Sequence, residues 1–275
     1  MNIINSDPAN PKGCGIVNIW QESVPVRFGA IDKSDKMTMH EAFKLFQEAA
    51  ISHAENLGVG REDMARTGQV WILSRMSVIA DRRPSYRETV LVRSWPQGWE
   101  KLFAIRNYEI RDKDDIAVVS SRSAWLIVDM EKRRPLRPQS VMDFLPQNEG
   151  VYALSPEAGG AAGLEERAGL QKIAEKKALY NDLDYNGHVN NVSYIKWIED
   201  SLEAGLLEKA QKMRLDINYL SETHEGEIID IMSSAAADDD CSAFAFEGRK
   251  RENIKQGSAL QQGFAFRAEL RLWGV

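Results

Sequence analysis

The sequence predicts an α+β protein in which one unit occurs twice, each copy a long helix wrapped by an antiparallel sheet. Three observations predict it. A capped, apolar helix pattern is followed by a meander of strand patterns; the same order restarts later in the chain; and the two halves align with Phe28 on Tyr180, Ile31 on Leu183, Asp32 on Asp184 and Thr38 on Asn190.

The elements follow in order. Val17 to Arg27 alternates apolar with polar residues and reads as a strand. Thr38 and Glu41 have the T-x-x-E spacing of a capping box. Ala42, Phe43, Phe46, Ala49, Ala50 and His53 then recur at three and four residues, with Gly58 as a C-terminal stop, so this is a helix. Runs rich in Val, Ile, Trp and Tyr at Val70 to Ala80, Thr89 to Trp95, Phe103 to Arg111 and Ala117 to Met130 are strands, with turns at Pro96 to Gly98 and Lys113 to Asp115. From Pro146 to Leu170 the composition shifts to Gly, Ala, Glu and Pro, the pattern of a crossing linker. It separates a repeat over residues 1–145 from one over 171–275. In the second repeat Lys176 to Asn181 resembles a strand, and Val192, Ile195, Ile198, Leu202 and Leu206 share one helix face. Strands are predicted at Met213 to Leu220, Glu227 to Ala235, Cys241 to Lys250 and Gly263 to Trp273. A helix buried against such a sheet must be apolar over most of its circumference, and both helices carry aromatic residues on more than one side. That is the hotdog arrangement, here in tandem.

Composition excludes several classes. The chain has 275 residues, 43% of them apolar and 28% charged, with seven Trp, which rules out disordered, collagen-like and disulfide-scaffold proteins. Cys14 and Cys241 lie far apart, outside any metal-ligand spacing, so neither a metal nor a cofactor is signalled and a reducing compartment is expected. Met1 to Gly15 has no apolar core, and no apolar run reaches the ~20 residues of a membrane span, so a cytoplasmic protein without membrane contact is expected. The net charge of -6 argues against nucleic acid as partner. Within this acidic chain Arg82, Arg83 and Arg87 form one basic group, and Lys132, Arg133, Arg134 and Arg137 another. They read either as solvated turns or as a docking patch for an acidic partner.

The chemistry concentrates in Asp182-Leu183-Asp184-Tyr185-Asn186-Gly187-His188-Val189-Asn190-Asn191, between a strand and the second helix. With Asn190 as N-cap, His188 sits just outside the positive end of the helix dipole, where backbone N–H groups can also stabilise an oxyanion. The segment reads as an acyl-transfer site, or as an Asx turn with a cap and an incidental His. The first half keeps Asp32 but has Ser34 for Asn186 and Lys36 for His188, so one half reads as catalytic and the other as structural.

The run D-L-D-Y-N-G-H-V-N-N-V-S-Y-I-K-W-I-E closely resembles the signature of the acyl-acyl-carrier-protein thioesterases. The likeness extends through Arg75-Met76 to Asp81-Arg82-Arg83-Pro84, through Ser123-Ala124-Trp125 and into Asn218-Tyr219-Leu220-Ser221-Glu222, and covers most of Val17 to Ile231. The resemblance implies a tandem hotdog enzyme that hydrolyses fatty acyl-carrier-protein thioesters and ends chain elongation. Its catalytic groups would lie in the C-terminal repeat and its acyl pocket largely in the N-terminal one. The family's Asp, Asn and His fall on Asp184, Asn186 and His188, and its later Glu on Glu222. Met39, Phe43 and Phe46 are placed near the acyl cavity, and the partner implied is an acyl carrier protein with a phosphopantetheine-linked chain. Plant members carry a Cys directly after that Glu, whereas Thr223 stands here, so a cysteine nucleophile is not expected. A long plastid transit segment is also missing, which fits a bacterial-type member.

Thiolate is a good leaving group, so a carboxylate that deprotonates water, together with donors for the carbonyl oxygen, suffices. Glu222 is the favoured base; Asn186 would orient water or carbonyl, His188 polarise the carbonyl or protonate the sulfur, and Asp184 fix these groups. A covalent anhydride at Asp184 is the alternative chemistry. His224 lies two residues beyond Glu222, while His40 and His53 belong to the first helix. An acyl-CoA thioesterase and a non-catalytic acyl-binding module are the alternative functions; monomer and homodimer both stand.

Overall fold

The computed structural model describes residues 18–137, 141, 144–156, 165, 167–238, 240–251 and 263–275. Its first half contains β1 (Trp20–Pro25), α1 (Met39–Asn56), α2 (Arg61–Arg66), β2 (Gln69–Ala80), β3 (Thr89–Glu100), β4 (Phe103–Arg111), β5 (Ala117–Asp129) and β6 (Arg134–Pro135). The second half repeats the order with β7 (Gln171–Lys177), α3 (Asn191–Asp200), α4 (Ala204–Lys209), β8 (Lys212–Tyr219), β9 (Ile228–Asp238), β10 (Cys241–Lys250) and β11 (Phe264–Trp273). Part of the expected linker, residues 157–164 and 166, lies outside the described residues, as do Cys14 and Val17.

All strands join one sheet in the order β1-β3-β4-β5-β2-β8-β11-β10-β9-β7, with β6 paired to β5. The halves meet where β2 and β8 run antiparallel, with Ser77 opposite Asp216. Each lies eight residues before the residue that closes its own half's loop bridge, Ser85 or His224, so the two are counterparts and a pseudo-two-fold axis passes between them. Only β1 and β7 are left as edges along this path.

The helices lie against this sheet. Thr38 caps α1 as its spacing predicts, its Oγ accepting the Glu41 N–H at 3.4 Å. Met39, Ala42, Phe43, Phe46, Ala49, Ala50 and His53 form its buried face. Phe46 meets Tyr108 of β4 with ring centroids 5.1 Å apart. Asn190 caps α3 by accepting the Val192 N–H at 3.0 Å. Tyr194 of α3 packs on Phe266 of β11 and Tyr219 of β8. The helices also touch each other: the Glu199 carboxylate near the end of α3 accepts the N–H groups of Met39 and His40 at 2.7 and 3.1 Å, placing a negative charge at the positive end of α1.

Three expectations need correction. The second helix does not run through Leu206: α3 has ten residues against eighteen in α1 and ends at Asp200. The Ser201 hydroxyl bonds back to the Trp197 carbonyl at 2.6 Å and the chain turns before α4. Leu202 and Leu206 still pack against the core, which explains the unbroken apolar period. Pro96 to Gly98 is a bulge within β3 instead of a turn. Because β1 pairs β3 only as far as Ser94, Pro96 lies where its missing N–H has no partner to lose on that side. The strand expected at Lys176 to Asn181 is displaced to Gln171–Lys177, and Tyr180–Asp182 forms a 3-10 turn into the motif loop.

Candidate active site

Residues 182–190 form a tight loop held by its own carboxylate. Asp184 Oδ1 accepts the N–H groups of Asn186 at 2.8 Å and His188 at 3.3 Å, while the Asp184 N–H bonds the His188 carbonyl at 2.7 Å. Gly187 supplies the left-handed residue this turn requires, at φ 77°. The first-half loop is built alike: Asp32 Oδ1 accepts the Ser34 and Lys36 N–H groups at 2.8 and 3.4 Å. Asp35 takes the left-handed position there at φ 64°. In both halves, then, the Asp is first of all a loop staple.

The second Asp oxygen differs. Asp32 Oδ2 receives the Arg83 guanidinium at 2.5 Å, whereas Asp184 Oδ2 has only the Asn186 amide at 3.4 Å. Burial tends to raise the Asp32 pKa, but hydrogen bonds from Ser34 and Arg83 and the Arg83 charge outweigh it and hold the carboxyl below its ordinary value.

Glu222 reaches the loop from the segment after β8. His188 and His224 form an antiparallel bridge, and the Val189 N–H bonds the Thr223 carbonyl at 2.8 Å. This brings Glu222 Oε2 to 3.6 Å from His188 Nε2. Lys250 at the end of β10 fixes the segment by donating to the Glu222 carbonyl and, at 3.3 Å, to the Glu227 carboxylate. His188 is half-buried, whereas Asn186 and Glu222 face solvent. Asp184, Asn186, His188 and Glu222 therefore meet in one place at the N-terminus of α3, where a water can bond to the imidazole and the carboxylate from the open side.

Sequence reasoning passed over Tyr194 and Arg61, and it placed His224 only as a neighbour of Glu222 in the chain. Tyr194, one turn into α3, is 2% exposed, and burial together with the carboxylates of Glu227, Asp184 and Glu222 pushes its phenol up to about 12. It stays a neutral donor beneath the site. His224 packs edge-on to His188, with ring centroids 4.7 Å apart. Arg61, at the start of α2 in the other half, lies over the Tyr185 ring at 3.7 Å. No sequence signal links Arg61 to Tyr185, because the contact exists only once the halves pack together.

The remaining expected residues are placed as follows. Met39, Phe43 and Phe46 are all buried on α1, and Met39 lines a narrow cleft of about 10 Å³ with Met37, Ala80, Arg83 and Val119. Arg83 is turned inward at 7% exposure, bonding Asp32 and the Leu207 carbonyl of the second half, and Arg82 is held by Glu88 and Asp112. Arg83 is committed within the fold, while Arg82 is paired but keeps 41% of its side chain exposed. Arg87, Lys132, Arg133, Arg134 and Arg137 are exposed, Lys132 lying 3.5 Å from Asp129. Cys241 begins β10 and Lys250 ends it, so the thiol is about 30 Å from the site along the strand.

Residues 17–143 match the acyl-ACP thioesterase N-terminal domain, and residues 165–263 the acyl-ACP thioesterase C-terminal domain. Oleoyl-acyl carrier protein thioesterase 2 of Arabidopsis thaliana is 25% identical over 234 residues, 78% of this chain and 63% of that protein. The oleoyl-acyl carrier protein thioesterase of Coriandrum sativum is 24% identical over 272 residues, 93% of this chain and 73% of that protein. The chain thus spans less than two thirds of the Arabidopsis relative's length. Among solved structures, a 12:0-ACP thioesterase from Umbellularia californica superposes with a TM-score of 0.77 at 18% identity, covering 94% of this chain and 97% of that one. An acyl-ACP thioesterase from Bacteroides thetaiotaomicron gives 0.74 at 22% identity, covering 92% and 97%. These likenesses agree with the double hotdog architecture. With both domain matches in order and together spanning most of its length, the chain belongs to the acyl-ACP thioesterase family.

Proposed function

We propose that this chain hydrolyses the thioester of fatty acyl-acyl carrier protein, releasing the free fatty acid. The observation that carries the reading is the meeting of Glu222 with His188 at 3.6 Å across the bridge at the start of α3, with family membership supplying the substrate class. A water held by the Glu222 carboxylate on the open side of the pair attacks the thioester carbonyl carbon, its proton passing to that carboxylate. The carbonyl oxygen takes its negative charge among the Asn186 amide and backbone N–H groups at the head of α3. As the tetrahedral centre collapses the C–S bond breaks, and the thiolate receives a proton through His188. Asp184 holds the loop in register through its Oδ1.

In this reading residues 171–275 carry the chemistry, residues 1–145 house the chain along Met39, Phe43 and Phe46, and residues 146–170 connect them. Arg87, Arg133 and Arg134, all exposed, face the acidic carrier, joined by Arg61 beside the catalytic loop. Among the described residues no helix is long and apolar enough to cross a membrane, which suits a partner that diffuses freely.

The test is hydrolysis by the purified chain of one acyl group presented on carrier protein, on CoA and on pantetheine. Preference for the carrier-bound form is expected. Equal rates on all three would remove carrier recognition, and no hydrolysis of any would leave an acyl-binding module.

A further inference from the structure

The bridge between His188 and His224 does more than position a base. It sets two imidazoles side by side, and Glu222, two residues before His224 on an extended segment, lies on the same side of the chain. One ligand atom from each of His188, Glu222 and His224 falls within 4.8 Å of the other two. Tetrahedral bonds of about 2.0–2.2 Å to nitrogen and oxygen separate neighbouring ligand atoms by about 3.3–3.6 Å. His188 Nε2 and Glu222 Oε2, at 3.6 Å, already meet that spacing. His224 is exposed, so its ring can turn the remaining distance without disturbing the core.

We propose that His188, Glu222 and His224 form a binding site for a divalent cation of the zinc class, and that its occupancy switches the thioesterase off. Two imidazoles and one carboxylate favour zinc, nickel or copper over magnesium or calcium, which prefer oxygen donors. The backbone around the ligands is fixed: Asp184 holds the His188 N–H, Glu227 accepts the His224 N–H at 2.7 Å, and Lys250 holds the Glu222 carbonyl. Three ligands that already converge lose little freedom on binding. The inhibition follows from identity of atoms, since the lone pairs that would ligate the ion, on His188 Nε2 and the Glu222 carboxylate, are those assigned to proton transfer. That second part rests on the proposed hydrolysis; the binding does not. The first-half counterparts are Lys36, Arg83 and Ser85, two cations and a hydroxyl, so the site belongs to the second half alone.

The test is calorimetric titration of the metal-free chain with zinc chloride, run beside hydrolysis of acyl-carrier protein over the same zinc range. One equivalent is expected to bind, hydrolysis to fall as the site fills and to return with a chelator, and magnesium chloride to do neither. His224→Gln, measured against its own metal-free rate, should need roughly tenfold more zinc, or more still, for both binding and inhibition, because one of three ligands is lost. Absence of a binding heat, unchanged zinc affinity in His224→Gln, or faster hydrolysis with zinc each overturns the proposal. A chain that binds zinc through His224 yet hydrolyses nothing would sustain the site and remove the hydrolytic reading instead.

Discussion

Arg83 and Glu222 occupy the same position in the two halves, each two residues before the bridge that closes its loop, and they carry opposite charges. In the first half the cation neutralises Asp32 and fills the space. In the second the carboxylate leaves Asp184 with an amide and faces His188 across a gap. One exchange of charge thus separates the arginine-stapled loop of the first half from the loop proposed to be catalytic in the second.

Replacing Asp32 with Asn should preserve the turn, since an amide oxygen can accept the same N–H groups, but it strips the inward-facing Arg83 of its counter-charge. A loss of about 2–3 kcal/mol of stability is expected, reduced from the fully buried case by the partial exposure of Asp32. The folded pKa of Asp32 is depressed, so its contribution is complete above the unfolded value of about 3.9 and disappears as pH falls through the lowered one. The gap in denaturant titrations between the two proteins should therefore shrink progressively as pH falls below about 3.9; a gap that keeps its full size in acid would break the assignment.

Glu222→Gln should fold normally, because Glu222 is largely exposed, yet hydrolyse about 10² to 10⁴ times more slowly. Asp184→Asn keeps the turn but sets an amide NH2 against the Asn186 amide that Oδ2 now accepts at 3.4 Å, so it should likewise lower kcat with little loss of stability, in contrast to Asp32→Asn. Turnover close to wild type in Glu222→Gln would return the base to another group.

Cys241→Ser should leave kcat unchanged, since about 30 Å of strand separates that thiol from the site. Loss of activity there would revive a thiol mechanism.

Chain-length preference is expected to follow the buried face of α1. Met39→Ala, Phe43→Leu and Phe46→Leu should shift the profile of released acids while retaining the reaction, Phe46 with the added expense of about 1 kcal/mol at a fully buried position. An unaltered profile across all three would move the pocket elsewhere.

Combined charge reversal at Arg87, Arg133 and Arg134 should raise KM for acyl-carrier protein, most at low salt, and leave a pantetheine thioester almost untouched. Three are needed because exposed ion pairs contribute about 0.2–1 kcal/mol each. Equal losses on both substrates would mean that these arginines support the fold.

Much of this molecule was legible because its signals are local. The caps at Thr38 and Asn190 and the Asp184 loop depend on spacings of a few residues, and the strands on alternation. What escaped depends on packing. The end of α3 at Ser201 is invisible while Leu202 and Leu206 continue the apolar period, and the bulge at Pro96 depends on where a neighbouring strand stops. The inward turn of Arg83 cannot be read from the basic pair Arg82-Arg83. Glu222 was reached through resemblance alone; spacing gives no reason why residue 222 should return to residue 188.

The open edges of the sheet bear on how the protein behaves at high concentration. A strand with free N–H and C=O groups invites another chain to add on, and a ten-strand path has two such places. β7 carries Lys172, Glu175, Lys176 and Lys177, and β1 carries Glu22 and ends on Pro25. An incoming strand would have to bury these charges or pair with a residue that has no N–H to give. Stacking of sheets end to end, the first step toward fibrils, is thereby disfavoured at both rims.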